Sequence, residues 1–172
     1  MDLIIIPIDS SVVQVINTDM AYSGTYKVKN IKKYEGDYTK VKYRSLWERQ
    51  VFRWLDAHPK VLGWSSEEYV VGYRCRTDNR LHKYYIDLFV RWDSTDGSNV
   101  PRKCTLIEIK PKKETLPPKS GNRKTKKYLR EVFTYAKNQS KWEAARSFAE
   151  KRGMEFVVWN EDTIRGLGIK LL

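Results

Sequence analysis

The chain has 172 residues, 41% of them hydrophobic, which is enough for one domain with its own core and too many for a disordered tail. A formal net charge of +12 is costly in self-repulsion, so it points to a polyanionic partner, nucleic acid ahead of an anionic membrane surface. Two cysteines, Cys75 and Cys104, exclude a disulfide framework and a Cys-based zinc site, and they suit a reducing compartment.

The first 19 residues hold three Asp and no Lys or Arg, and the basic character starts at Lys27. The shift sets residues 1–23 apart as an N-terminal extension or arm ahead of a domain over 24–172. The apolar run 3–8 is too short to span a membrane and is interrupted by Pro7; Asp2 precedes it instead of a basic residue, so it is not a secretory signal. Trp47, Val51, Trp54 and Leu55 recur at helical spacing and predict a helix over 45–57, ended by His58-Pro59.

Three strands are expected next, at 68–76, 82–92 and 103–110. Alternation in the second puts Tyr84, Ile86, Leu88, Val90 and Trp92 on one face. Turn residues separate the strands at 77–80 and 93–99. A Pro/Lys-rich loop over 111–124 leads to a long helix over 125–152, ended by Gly153, with Leu129, Phe133, Ala136, Ala144 and Phe148 near one face. A short strand at 155–159 and a short helical tail complete a mixed α/β layer fold, α+β with a mixed sheet.

The second and third strands carry the chemistry. If their hairpin is centred between Gly97 and Ser98, Asp87 and Glu108 are equidistant from the centre and face each other. Opposed Cβ atoms in an antiparallel pair lie about 4.5–5.5 Å apart, and two like charges there destabilise the pair unless something neutralises them. A divalent cation would, and Mg²⁺ prefers such oxygen donors. Lys110 shares the Glu108 face, within an otherwise apolar strand. A salt bridge from Lys110 to either acid is the structural reading of the same residues. An Asp, a Glu and a Lys converging in a basic protein favour phosphodiester hydrolysis, in which the metal supplies charge and activates water and Lys110 orients that water or stabilises negative charge. Glu48 fits a capping box with Ser45 equally well as a metal-site acid from the first helix.

Asp87 followed by Glu108-Ile109-Lys110 on the next strand resembles the PD-(D/E)XK nuclease superfamily, with Ile86 where a proline often stands. The segments 43–49, 64–68, 82–87, 106–111 and 134–142 occur in an order similar to that of the head completion nucleases of T4-like bacteriophages. The catalytic segments also resemble the N-terminal domain of TnsA transposition endonucleases. The resemblance implies a restriction-endonuclease-like αβββαβ core with a helix on each face. It further implies Asp87 and Glu108 as metal ligands, the Ile109 carbonyl as a third, Lys110 as the catalytic lysine and Glu48 as the first-helix acid. Gln139 would be the helix-borne glutamine that some members turn to the site, unless it is a surface or capping amide. Mg²⁺ is the implied metal, with Mn²⁺ as a substitute, and other phage head or neck proteins are implied partners in the virion and host cytoplasm. A TnsA-like transposition endonuclease and a non-catalytic DNA-binding head or neck protein are the competing readings.

Between Lys110 and Arg130 lie nine basic residues and one acid, Glu114, or +8 of the net +12. Lys112, Lys113, Lys119, Arg123, Lys124, Lys126, Lys127 and Arg130 follow the catalytic strand directly and are expected to contact DNA phosphates, joined by Arg44 beside Glu48. No recognition helix or zinc-finger pattern appears, so sequence preference is expected to be weak. His58 and His82 are assigned to no metal.

Overall fold

The computed structural model describes residues 23–93, 103–119 and 125–171. The expected extension over 1–23 therefore lies outside the described residues except for Ser23. A short antiparallel pair, β1 (Gly24–Thr25) and β2 (Lys42–Tyr43), leads into helix α1 (Leu46–Ala57). Ser45 starts that helix, its hydroxyl accepting the Glu48 backbone N–H over 3.2 Å. Val51, Phe52 and Leu55 form its buried stripe, and His58 ends it with its ring stacked on Trp54. Asp56 is buried on α1 and accepts the Lys29 and Asn30 backbone N–H groups at 2.7 and 3.0 Å, which lashes the chain before β2 onto the helix.

Four strands make the main sheet: β3 (Val61–Ser66), β6 (Leu88–Trp92), β7 (Cys104–Ile109) and β8 (Glu155–Trp159), in the order β3-β6-β7-β8. β6 is antiparallel to both β3 and β7, and β8 is parallel to β7. The parallel step requires a long crossover, which helix α3 (Lys126–Glu150) provides. Between β3 and β6, β4 (Val70–Arg74) and β5 (Leu81–Tyr85) form a separate antiparallel hairpin. Short helices α2 (Lys112–Thr115) and α4 (Glu161–Gly166) follow β7 and β8.

The sheet is covered on both faces, as expected of a mixed α/β fold with a helix on each. On the α1 side, Val51, Phe52 and Leu55 pack with Val61, Trp64, Leu88, Val90, Ile107 and Ile109. On the α3 side, Trp142, Ala145 and Ala149 pack with Phe89, Leu106 and Phe156, with Tyr73 and Tyr84 of the hairpin, and with Ile86 just after it.

Three expectations are corrected. The strand expected over 82–92 is two strands, broken at Ile86 and Asp87. Tyr84 and Ile86 belong to the α3-side core, whereas Leu88 and Val90 belong to the α1-side core, so the chain changes face at the break. β5 has its own partner in β4, and the Ile86 N–H donates to the Tyr69 carbonyl at 2.9 Å, outside the main sheet. Strand β3 is an addition to the expected set. Its burial on both faces hides alternation, and Gly63 within it looks like a turn residue. That glycine is required by close approach, because a Cβ there would collide with the Glu35 carboxylate, which pairs with Arg91 across it.

The third correction concerns α3. Its buried residues are Asn138, Ser140, Trp142, Ala145 and Ala149, all in the second half. Leu129 and Phe133, expected in the core, are 44% and 58% exposed. The first half of α3 covers no part of the sheet's core, so periodicity over the whole helix mixes a docked half with an undocked one. A smaller difference is α2, a single turn within the segment expected as loop.

Candidate active site

The pairs Leu88↔Ile107, Phe89↔Leu106, Val90↔Thr105 and Arg91↔Cys104 set the β6–β7 register. It is the register obtained by centring the hairpin between Gly97 and Ser98, residues that themselves lie outside those described. One step before Leu88↔Ile107 in the same count, Asp87 falls opposite Glu108, just outside the hydrogen-bonded ladder. Asp87 sits at the strand break, where its Oδ2 accepts the Ile109 backbone N–H at 2.8 Å. Glu108 lies within β7 and is 2% exposed. Its Oε2 accepts the Tyr84 hydroxyl at 2.6 Å, and its Oε1 lies 3.2 Å from the Lys110 ammonium.

The electrostatics match this crowding. Burial, then the neighbouring Glu108, hold the Asp87 carboxyl well above its ordinary range. Burial alone would lower the Lys110 ammonium, but Glu108 and Asp87 outweigh it and the net shift is upward. Lys110 therefore stays charged beside two acids. Burial also raises the Glu48 carboxyl, against the Arg44 N–H and Ser45 hydroxyl that donate to it. Glu48 thus serves as a capping acid here, and it is also near enough for Lys110 to act on its charge and for its own charge to act on Asp87.

Of the basic residues expected to meet phosphate, Lys113, Lys119, Lys127 and Arg130 line one cleft of about 590 Å³ with Leu116 and Tyr135. Lys126 is exposed on the first turn of α3. Lys112 is otherwise engaged: its ammonium pairs with Asp162 at 2.6 Å and its N–H donates to Glu161. Arg44 is held by Glu67 through two guanidinium bonds, at 2.6 and 3.0 Å. Arg123 and Lys124 lie outside the described residues.

Two side chains at this centre carry no signal in the sequence. Tyr84 reads there as an apolar face residue, yet its hydroxyl anchors Glu108. Lys141 on α3 holds its ammonium 5.0 Å from the centre of the Tyr84 ring, within the field of Glu108 and Asp87. Gln139, expected at the site, is two residues earlier and so about 200° around the helix from Lys141, on a different face. Spacing on α3 separates the two only once the docked face is known.

A second group of donors lies on the turn between β4 and β5. Cys75, Asp78 and His82 bring ligand atoms within 4.8 Å of one another, the one such trio of Cys, His and acidic residues among the described residues. There the His82 ring lies 2.8 Å from Asp78 in an ion-pair geometry, and Cys75 is buried against Thr77. Arg74 and Arg80 flank the turn, Arg74 donating to the Asn79 carbonyl and Arg80 donating its N–H to Asp78.

Residues 58–161 match the family described as TnsA-like endonuclease N terminal. Over 155 residues the chain is 42% identical to the head completion nuclease of Enterobacteria phage T4, a match spanning 88% of this chain and 99% of that protein. No solved structure matches the chain.

Proposed function

Because this chain belongs to the family of TnsA-like endonucleases, we propose that it is a metal-dependent DNA endonuclease acting in phage head completion, with Asp87, Glu108 and Lys110 at its centre. The observation that carries the reading is the juxtaposition of Asp87 and Glu108 at the end of the β6–β7 ladder, with the Lys110 ammonium 3.2 Å from Glu108. The match to nearly the whole of a phage head protein favours head completion over transposition, since the TnsA-like match covers residues 58–161 alone. The intact acid–acid–lysine set argues against a purely structural head or neck protein.

The donor set fits a divalent cation. Asp87 and Glu108 offer hard oxygen donors, and the raised Asp87 carboxyl marks a site short of positive charge. These two acids and the Ile109 carbonyl would hold the ion, with Glu48 completing the site from α1. We take Mg²⁺ as the ion and Mn²⁺ as its substitute. When bound, the ion supplies charge at the phosphate and lowers the pKa of the attacking water. The Cys75–Asp78–His82 trio is a poorer place for it, since thiol and imidazole donors suit softer metals and Arg74 and Arg80 repel a cation there.

The protein's own residues do the rest. Lys110 keeps its proton and sets positive charge against the developing negative charge of the phosphate. The Tyr84 hydroxyl fixes the Glu108 carboxylate, and the Ile109 N–H fixes that of Asp87. Lys113, Lys119, Lys126, Lys127 and Arg130 extend a basic surface along which the DNA backbone lies. The setting we assign is the virion and the host cytoplasm, with other head or neck proteins as partners. None of the described helices is long and apolar enough to cross a membrane.

The test is plasmid cleavage with Mg²⁺, run on supercoiled, linear and branched DNA beside Glu108→Ala and Lys110→Ala, with DNA binding measured in parallel. Wild type is expected to cut while both variants bind without cutting. Equal cleavage by Glu108→Ala, or none by wild type with any divalent metal, overturns the assignment.

A further inference from the structure

Lys141 is unusual among the cations of this chain. It is half-buried on α3, and among the described residues it makes no ion pair and no hydrogen bond. Its one specific contact is cationic, over the Tyr84 ring at 5.0 Å. Desolvating an ammonium without a counter-ion is unfavourable, and proteins seldom leave one so. The acids in its surroundings are taken: Glu108 is bonded by both Tyr84 and Lys110, and Asp87 by the Ile109 N–H. What Lys141 lacks among the described residues is a free anion.

The placement narrows what that anion is. Tyr84 links the two components, since its hydroxyl holds Glu108 and its ring carries Lys141. Lys110 projects from the end of β7 and Lys141 from α3, and each ammonium feels the field of the same two acids. A group lying in front of Asp87 and Glu108 is therefore approached by an ammonium from two elements.

We propose that Lys141 is a second lysine of the catalytic centre, and that its ammonium binds a non-bridging oxygen of the scissile DNA phosphate from the α3 side. This rests on the nuclease reading above and adds to it the residue that grips the reacting phosphate. Lys110 and Lys141 then share the phosphate: Lys110, paired to Glu108, sets its charge against the developing negative charge from the β7 side, while Lys141 has the free valence to bind a non-bridging oxygen from the α3 side. The Tyr84 ring is a positioning element that keeps the ammonium from reaching Glu108. Burial, with the nearby Lys110 and Lys137 charges, also holds the Lys141 ammonium below its ordinary range, as expected of a cation awaiting a partner.

Two measurements test this. In the first, Lys141→Gln, Lys141→Met and Lys141→Arg are assayed for kcat, KM and DNA affinity. Loss of one preorganised donor to a reacting oxyanion costs on the order of 10²–10³-fold in kcat. That loss is expected for the Gln and Met variants, with DNA affinity kept within about 3-fold, because the several other basic residues of the surface supply most of the binding. Partial recovery is expected with Arg. In the second, acetylation of each lysine is followed by mass spectrometry in the Glu108→Ala protein, with and without duplex DNA in Ca²⁺. Lys141 is expected to be labelled in the free protein and shielded in the complex. Cleavage by Lys141→Gln at the wild-type rate, or labelling of Lys141 that bound DNA leaves unchanged, overturns the proposal. The footprint needs no turnover, so it decides the matter for Lys141 even where wild type proves inactive and the nuclease reading itself fails.

Discussion

The Tyr84 hydroxyl donates to the buried Glu108 carboxylate across 2.6 Å, joining the β4–β5 hairpin to the main sheet at the centre of the site. Burial and the two neighbouring acids raise the Tyr84 hydroxyl far above its ordinary pKa, so it stays a donor at any working pH. A hydrogen bond to a charged group contributes about 1.5–3 kcal/mol. Tyr84→Phe is expected to lower stability by that amount in urea denaturation and to weaken Mg²⁺ binding roughly 10–100-fold, as loss of a ligand's outer partner does. A variant as stable as wild type, with unchanged metal affinity, would show that the bond is incidental.

Asp87 predicts an inverse relation between stability and activity. Its folded carboxyl is raised, first by burial and then by Glu108. In the unfolded chain it ionises near pH ~3.9. Above that value the unfolded state sheds the proton first, so this group's contribution to stability is complete in acid and is lost as pH rises through the folded pKa. Asp87→Asn removes the penalty. It is expected to abolish cleavage yet raise the stability of the metal-free protein at pH 7 by about 0.5–2 kcal/mol. Thermal unfolding in EDTA at pH 5 and pH 8 checks this, and the gain should be larger at pH 8.

Metal should restore to wild type what charge repulsion removes. A ligand that binds only the folded state at 100 times its Kd stabilises by about 2.7 kcal/mol. Mg²⁺ is expected to raise the Tm of wild type and of His82→Ala equally, and to leave Glu108→Ala unmoved. Loss of the Mg²⁺ response in His82→Ala would relocate the ion to the β4–β5 turn.

The cleft cations should separate from those already paired. Removing one cation that neutralises a DNA phosphate makes the slope of log K against log salt shallower by about 0.9. Lys127→Ala and Arg130→Ala are each expected to show that change, with binding weakened alike on unrelated sequences. Lys112→Ala and Arg44→Ala should leave the slope nearly unchanged, because Asp162 and Glu67 already neutralise those side chains.

Register is the legible part of this fold. The turn residues at 93–99 and the alternation on either side are local signals, and together they place Asp87 against Glu108 without any knowledge of the rest. The break at Ile86 and Asp87 is not legible, because alternation continues unbroken through a residue at which the chain changes sheets. Strand β3 is hidden by its burial on both faces, and the docked face of α3 by the half of that helix that meets no core. Lys141 is hidden for the same reason. A lysine among many reads as surface until the opposing wall is known, and here that wall is a tyrosine ring with an apolar place in the alternation.

The bend at Asp87 also bears on where this chain tolerates change. Because β6 and β7 are tied by ladder bonds from Leu88–Ile107 to Arg91–Cys104, residues inserted into or deleted from the connection beyond them leave both acids in place. A single residue inserted inside either strand would turn one carboxylate to the opposite side of the sheet and end the encounter. Length is thus free at the tip and fixed near the base, so related chains should vary in the connection and keep constant the distance from Asp87 to Arg91 and from Cys104 to Glu108.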